Sequence, residues 1–260
     1  MGAPLTDVGF AKVNLALHVR KRRSDGYHEL ETLFAFAKDG DLVTAEEADQ
    51  TSLTLTGPFA PGLTAGPDNL VIRAVETLAA AHGIKSGLKL SLDKRLPVAA
   101  GIGGGSADAA AALRLAARIW SIDPASPKLL EIASTLGADV PACVRSKTCF
   151  GSGVGDTLVD SPDIRLTGRP LLLVNPKRAC PTGPVFRGWD GTDRGPLHPE
   201  QWRNGRNDLQ QPAIALVPEI AAVLDELHAQ QGVDLVRMSG SGATCFALFE
   251  CEEDLHRADR

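Results

Sequence analysis

The sequence predicts an α+β fold in two domains. Three features carry that expectation: apolar residues alternate through the N-terminal third, helical spacing recurs from residue 68 onward, and patterning is weakest near residues 150–165. Over residues 12–20, Val13, Leu15, Leu17 and Val19 fall on one face and Lys12, Asn14, Ala16 and His18 on the other, the period of a strand. Further strands are expected at 31–37, 41–45, Ser52–Thr56 and 88–92. Asp68 opens a helix through residue 81, with Leu70, Ala74 and Leu78 four residues apart and Gly83 as its stop. A second helix is expected over 106–120 and a third over Pro127–Leu136, ended by Gly137. Residues 148–160 read as a glycine-punctuated strand and turn, and Leu171–Val174 as a short buried strand. The segment 178–206, rich in Pro, Gly and Trp, reads as a long loop. One helix is expected over 208–229, then two strands around a Gly-Ser-Gly turn over 233–249.

Bulk properties exclude several classes. The 260 residues are 43% hydrophobic and 23% charged, an ordinary globular balance. The net charge is −5 and like charges form no block beyond the short run ending at Arg23, so the basic stripe of a nucleic-acid surface is missing. An anionic ligand would have to be held by local groups. Five cysteines without C-x-x-C spacing argue against a zinc site or disulfide framework and for a reducing compartment. No long apolar run or signal-peptide core is present, so a soluble, cytoplasmic protein is expected, with no metal-ligand set of its own.

The most informative segment is Pro97-Val98-Ala99-Ala100-Gly101-Ile102-Gly103-Gly104-Gly105-Ser106-Ala107. Four glycines in five positions let the backbone approach a ligand closely, and the helix that follows presents unpaired N–H groups and the positive end of its dipole. That combination suits a polyphosphate. A Walker A loop fails because no lysine follows the glycines, and a dinucleotide fingerprint fails because Ser106 stands where its third glycine belongs. Other candidates stay open by pattern alone. Lys12 also reads as a solvated surface lysine, Asp139 as a turn former after Gly137, and Tyr27 as either a core ring or a stacking platform.

The glycine segment resembles the second motif of the GHMP kinases. Ala11-Lys12-Val13-Asn14-Leu15, followed by Arg23-Ser24-Asp25-Gly26-Tyr27-His28-Glu29-Leu30, resembles the N-terminal signature of one branch of that family. Gly137-Ala138-Asp139-Val140-Pro141 and Met238-Ser239-Gly240-Ser241-Gly242-Ala243-Thr244 follow in that branch's order. The resemblance spans nearly the whole chain. It implies a two-domain α+β GHMP fold with the active site in the interdomain cleft, an ATP-binding domain at 1–153 and a C-terminal domain at 154–260. It implies an ATP-dependent kinase, using Mg²⁺, that phosphorylates the 2-hydroxyl of 4-diphosphocytidyl-2-C-methyl-D-erythritol on the non-mevalonate route to isoprenoid precursors. No nucleic-acid or membrane partner is implied, and the expected state is a monomer or weak homodimer.

Carried over residue by residue, Lys12 and Asp139 match the catalytic pair and Asn14 would orient the substrate. Tyr27 and His28 would face the cytosine, with Thr182 and Phe186 as the opposite wall. Residues Pro97 through Ala107 would wrap the ATP phosphates, and Asn69 and Lys94 match positions near the adenosine. An alcohol must lose its proton as it attacks, so an aspartate beside an ammonium suits the chemistry. The chain departs from the family at Ala107, where a second serine is usual, and in the prolines of Cys180-Pro181-Thr182-Gly183-Pro184. The family pattern also runs on beyond the length seen here, so a lower stability without effect on the named residues is expected. The alternatives are a homoserine- or mevalonate-type GHMP kinase and a non-catalytic nucleotide-binding relative; the Asp25-Gly26-Tyr27-His28 segment opposes the first, and the intact Lys12 and Asp139 oppose the second.

Overall fold

The computed structural model describes residues 3–124, 126–161, 164 and 166–259. The chain forms two compact units that alternate along the sequence. Unit 1 takes the chain up to Lys12, then Phe36–Val98 and Gly103–Lys147; unit 2 takes Val13–Ala35, Ala99–Ile102 and everything from Thr148. No single cut, such as one between residues 153 and 154, separates them.

Two long strands, β1 (Leu5–Arg22) and β2 (His28–Ala48), pair with each other and run through both units. The two short strands expected at 31–37 and 41–45 are therefore one. Asp39-Gly40 looks like a turn, but Gly40 continues the strand because a Cβ there would stand 2.3 Å from the Gly9 carbonyl oxygen. Its glycine serves close approach rather than reversal. Residues 11–19 of β1 are buried on both faces, so the reading of Lys12 as a solvated surface lysine does not hold.

In unit 1 the second half of β2 pairs antiparallel with β4 (Gly87–Asp93), Leu42 opposite Asp93, and β3 (Ser52–Thr56) adds parallel to β4. Helix α1 (Leu70–His82) starts two residues later than expected, because the Asn69 side chain caps it, accepting from the Val71 N–H at 3.0 Å. Such a cap is worth about 1 kcal/mol. Helix α2 (Gly104–Ile119) starts two residues earlier than expected, with Gly103 as its left-handed N-cap at φ 65°, so Ser106 lies inside the first turn. Residues 107–113 and 115–117 of α2 are all buried, with only Arg114 between them at intermediate exposure. Alanine on nearly every face lets the helix sit inside the core with Leu78, Leu90, Leu92 and Leu113. Helix α3 (Pro127–Leu136) matches its expected span, and a short α4 (Val140–Arg145) follows Asp139.

In unit 2 the first half of β2 pairs with β5 (Cys149–Gly153), which turns into β6 (Thr157–Asp160). A second sheet has the order β7 (Leu171–Val174), β9 (Cys245–Phe249), β8 (Val233–Met238), all antiparallel. The expected loop 178–206 contains a short helix α5 (Thr182–Arg187) and a 3₁₀ turn (Pro199–Asn204). The single helix expected over 208–229 is two, α6 (Gln210–Leu216) and α7 (Glu219–His228). Pro218 is the reason: it removes a backbone donor and forces Val217 out of helical geometry, to φ −136° and ψ 82°. Helix α8 (Glu252–Ala258), acidic in its first turn and basic in its last, suits the helix dipole. Among the described residues no helix is long and apolar enough to cross a membrane. The five cysteines are free thiols.

Candidate functional site

In unit 1 the start of α2 has the geometry of a cradle that could hold an anion. The first backbone bond of the helix runs from the Ala107 N–H to the Gly103 carbonyl, which leaves the N–H groups of Gly104, Gly105 and Ser106 without an intrahelical acceptor. No acidic residue occupies the first turn. A Cβ on Gly105 would meet nothing within 4 Å, so space is open above that backbone. The Pro97 carbonyl oxygen lies 3.8 Å from where a Cβ on Gly104 would stand, Val98 is exposed, and Ala107 is buried.

Lys12 and Asp139 come together beside the cradle. The Lys12 ammonium stands 3.3 Å from the Asp139 carboxylate, and a Cβ on Gly103 would lie 2.9 Å from Lys12 Cε. The lysine is 2% exposed and the aspartate side chain 38% exposed. Asp139 caps α4 with its backbone only; its side chain makes no capping bond, so the turn-former reading gives way to a carboxylate turned to Lys12. An ordered ammonium next to a reachable carboxylate is an arrangement that can hold and move a proton.

Lys94, matched to a position near the adenosine end, sits in a buried ion cluster. Its ammonium is buried, paired with Asp41 and lying 3.0 Å from Asp108. Asp41 also accepts from the backbone N–H groups of Arg95 at 2.6 Å and Leu96 at 2.8 Å. Neither aspartate was singled out in the sequence. Asp108 could have been, as the one carboxylate in a run of buried alanines four residues after Gly104; Asp41 was hidden by its turn-like Asp-Gly-Asp setting. Asn69, the other residue expected near adenosine, is committed to capping α1 and to the Thr64 carbonyl at 2.7 Å.

In unit 2 the middle of the glycine segment is tied to the β8–β9 turn. The Ser239 hydroxyl accepts from the Asn14 N–H at 3.1 Å and donates to the Gly101 carbonyl at 2.9 Å, and the Thr244 N–H donates to the Ala100 carbonyl at 3.1 Å. Gly101 at φ 75° is required here, because a Cβ would stand 2.6 Å from the Ser239 carbonyl oxygen. Ala99, at φ 52° without the freedom of glycine, holds a strained left-handed geometry costing about 1 kcal/mol. Ile102 is buried behind it. The Asn14 amide donates to Thr32, whose hydroxyl in turn donates to the Ala16 carbonyl.

The aromatic group of unit 2 is built around His28. Its ring lies 5.0 Å from Phe186 at a 36° tilt and 5.7 Å from Trp189 nearly edge-on. Burial, then the nearby Arg22, holds the His28 pKa below its ordinary value, and Arg22 Nε donates to its Nε2 at 3.4 Å. The lowered pKa favours the neutral imidazole, and the Arg22 donor favours the tautomer with its proton on Nδ1. Tyr27 is 64% exposed, which removes the core reading, and it makes none of these ring contacts. Thr182 points its hydroxyl at Ser241, 2.9 Å away, instead of joining the rings. Trp189 was missed in the sequence, although an aromatic in an irregular loop was the available signal; its indole N–H is buried without a partner. Beside it Arg20, Lys21, Arg22, Trp189, Asp190 and Gly191 line a cavity of about 370 Å³. His18 stays structural: its ring bonds the Gly195 carbonyl and the Arg206 N–H.

Comparisons with known proteins agree over nearly the whole chain. The family model for the GHMP kinases N terminal domain matches residues 69–147, and that for the GHMP kinases C terminal matches residues 193–260. The 4-diphosphocytidyl-2-C-methyl-D-erythritol kinase of Rhizorhabdus wittichii is 56% identical, over 98% of this chain and 89% of its own. A crystal structure of 4-(cytidine 5'-diphospho)-2C-methyl-D-erythritol kinase superposes with a TM-score of 0.80 at 35% identity, covering 98% of this chain and 93% of that one. A homoserine kinase from Cytophaga hutchinsonii, at TM-score 0.67 and 16% identity over 99% of this chain and 89% of its own, shares the fold.

Proposed function

The chain belongs to the GHMP kinase family, in the branch of the 4-diphosphocytidyl-2-C-methyl-D-erythritol kinases, and we propose that it transfers the γ-phosphoryl of ATP to the 2-hydroxyl of that diphosphocytidyl alcohol. The observation that carries the chemistry is the Lys12–Asp139 pair at 3.3 Å, set against the glycine start of α2. Asp139 takes the hydroxyl proton, and the Lys12 ammonium offsets charge on the attacking oxygen and the moving phosphoryl. The N–H groups of Gly104, Gly105 and Ser106, with the flanking residues of the 97–107 segment, hold the phosphates.

Magnesium would neutralise triphosphate charge during transfer. Among the described residues no group of three or more His, Cys, Asp or Glu could hold a metal, so the ion is expected to arrive on the nucleotide and keep water and phosphate oxygens as its ligands. His28, Phe186 and Tyr27 would hold the cytosine, with Asn14 ordering the alcohol end and Thr182 acting through Ser241. Asn69 would meet the adenosine only as an extension of its capping role. The reading needs one chain, and a monomer or weak homodimer is expected in sedimentation.

A phosphorylation assay comparing the diphosphocytidyl alcohol with homoserine and mevalonate tests the proposal. Preferential turnover of the cytidyl substrate is expected; turnover of either rival alone would overturn it. The likeness to homoserine kinase concerns the fold and favours no second substrate.

A further inference from the structure

Beneath the cradle, unit 1 buries two carboxylates against one ammonium. Asp41 is fully buried, and Lys94 and Asp108 are each less than 4% exposed. The two acids are not equivalent. Asp41 accepts from Lys94 and from two backbone N–H groups, three donors in all. Asp108 has Lys94 on one oxygen at 3.0 Å; its other oxygen, Oδ1, is buried with no hydrogen-bond partner. That oxygen faces Gly9 of β1, where a Cβ would stand 3.0 Å away. With both acids ionised the cluster would hold one uncompensated negative charge in the core, which is costly.

We propose that Asp108 carries a proton in the folded protein, and that this proton keeps the site under the α2 cradle neutral, so that ATP binding is coupled to its retention. The proposal rests on the cradle being the nucleotide-phosphate site. The groups facing Asp108 are Lys94 after β4, Asp41 on β2, the Gly9 backbone on β1 and the Cys143 thiol on α4, which burial keeps protonated. Burial first, and the neighbouring Asp41 as a like charge and hydrogen-bond partner, push Asp108 up to about 8 against the pull of Lys94. The proton belongs to the pair, and Asp108 is its seat because Asp41 has the donors.

Asp108 lies four residues past Gly104, roughly 6 Å along the helix axis. A negative charge appearing there at an effective dielectric of ~20 weakens triphosphate binding by about tenfold. Calorimetric titration with Mg-ATP at pH 7.5 and 9.5, where the triphosphate is already fully ionised, reads this directly. The unaltered protein is expected to lose about tenfold in affinity over that range and to take up protons on binding near pH 8. Asp108→Asn should show less than a twofold change across the same range. A pH-independent affinity in the unaltered protein, or the same fall in Asp108→Asn, would overturn the proposal.

Infrared spectra of the unaltered protein provide a second readout that requires neither the variant nor nucleotide. A protonated-carboxyl C=O band that disappears with a midpoint near 8 supports the proposal, and its absence at neutral pH overturns it. Failure to bind Mg-ATP at every pH would instead count against the kinase reading, and the infrared band would still decide the proton.

Discussion

The start of α2 in unit 1 and the aromatic group of unit 2, proposed to hold phosphate and cytosine, are built of opposite materials. Around the start of α2 the working groups are backbone N–H donors and buried charges, with Lys12 2% exposed and Lys94, Asp41 and Asp108 sealed beneath. Around His28 they are rings, from a buried imidazole and indole to a tyrosine 64% exposed. A phosphate carries charge wherever it goes and is held by fixed dipoles at little reorganisation cost. A pyrimidine offers a flat face and a few edge atoms, so planes that slide and tilt are sufficient. The difference teaches that damage to the first region should be steep and electrostatic, and damage to the second graded and local.

The steepest test is Asp139→Asn, which keeps shape and removes the base. Turnover should fall by ~10²–10⁴ while ATP still binds. Lys12→Ala should act on the same step, so the double variant should be little worse than either single one; full additivity in kcat would contradict a shared proton transfer. Next come the glycines. Gly103→Val forces a side chain onto φ 65° and into Lys12 Cε, so KM for ATP should rise and kcat should fall together, by roughly tenfold or more each. Gly105→Ala meets no protein atom within 4 Å, so any rise in KM there, with kcat and thermal stability preserved, reports phosphate crowding alone. Equal effects at the two positions would erase the distinction between backbone strain and ligand contact.

Effects in the ring group should be smaller. Phe186→Ala and His28→Ala should weaken cytidine monophosphate binding by ~1–3 kcal/mol, about five- to a hundredfold, with ATP affinity unchanged. Tyr27→Ala should fall at the low end, because its exposed ring has the least fixed geometry. Unchanged affinity in all three, measured by calorimetry, would remove the cytosine assignment. The smallest effect expected is none. Because burial and Arg22 lower the His28 pKa, its charged form is displaced toward lower pH than an ordinary imidazole's. Cytidine monophosphate affinity should therefore stay within twofold between pH 8 and 6.5. A steep fall across that window would show that the imidazole gains its proton there and that the two regions are less different than their burial implies.

Much of both regions was legible before any coordinates. Gly101, Gly103, Gly104 and Gly105 before an alanine-rich stretch announce by composition a bare-backbone turn into a helix, and the backbone geometry there agrees, with Gly103 capping α2. Pro127–Leu136 and Leu171–Val174 were readable to the residue, since their period and stop signals are local. The resemblance of Lys12, Asp139 and the Asp25-Gly26-Tyr27-His28 segment to GHMP motifs supplied roles that pattern left open. Local reading failed where a residue's meaning depended on a distant partner. Asp39-Gly40-Asp41 looks like a turn until the Gly9 backbone is seen to require the glycine and Lys94 the aspartate.

What the sequence by itself determined is therefore the set of local choices: strand or helix period, the stop of α1 at Gly83, the span of α3, and a glycine loop ahead of an alanine-rich helix. Only the tertiary structure decided which charges are buried and with whom. Lys12 lies within a strand and Lys94 one residue past the end of one, yet the first meets a half-open carboxylate and the second two sealed ones. Burial and pairing of ions depend on residues far apart in the chain, with free energies set by the surrounding dielectric and available donors. No single-residue propensity contains that information, so the chemistry of each lysine appears only when the chain closes around it.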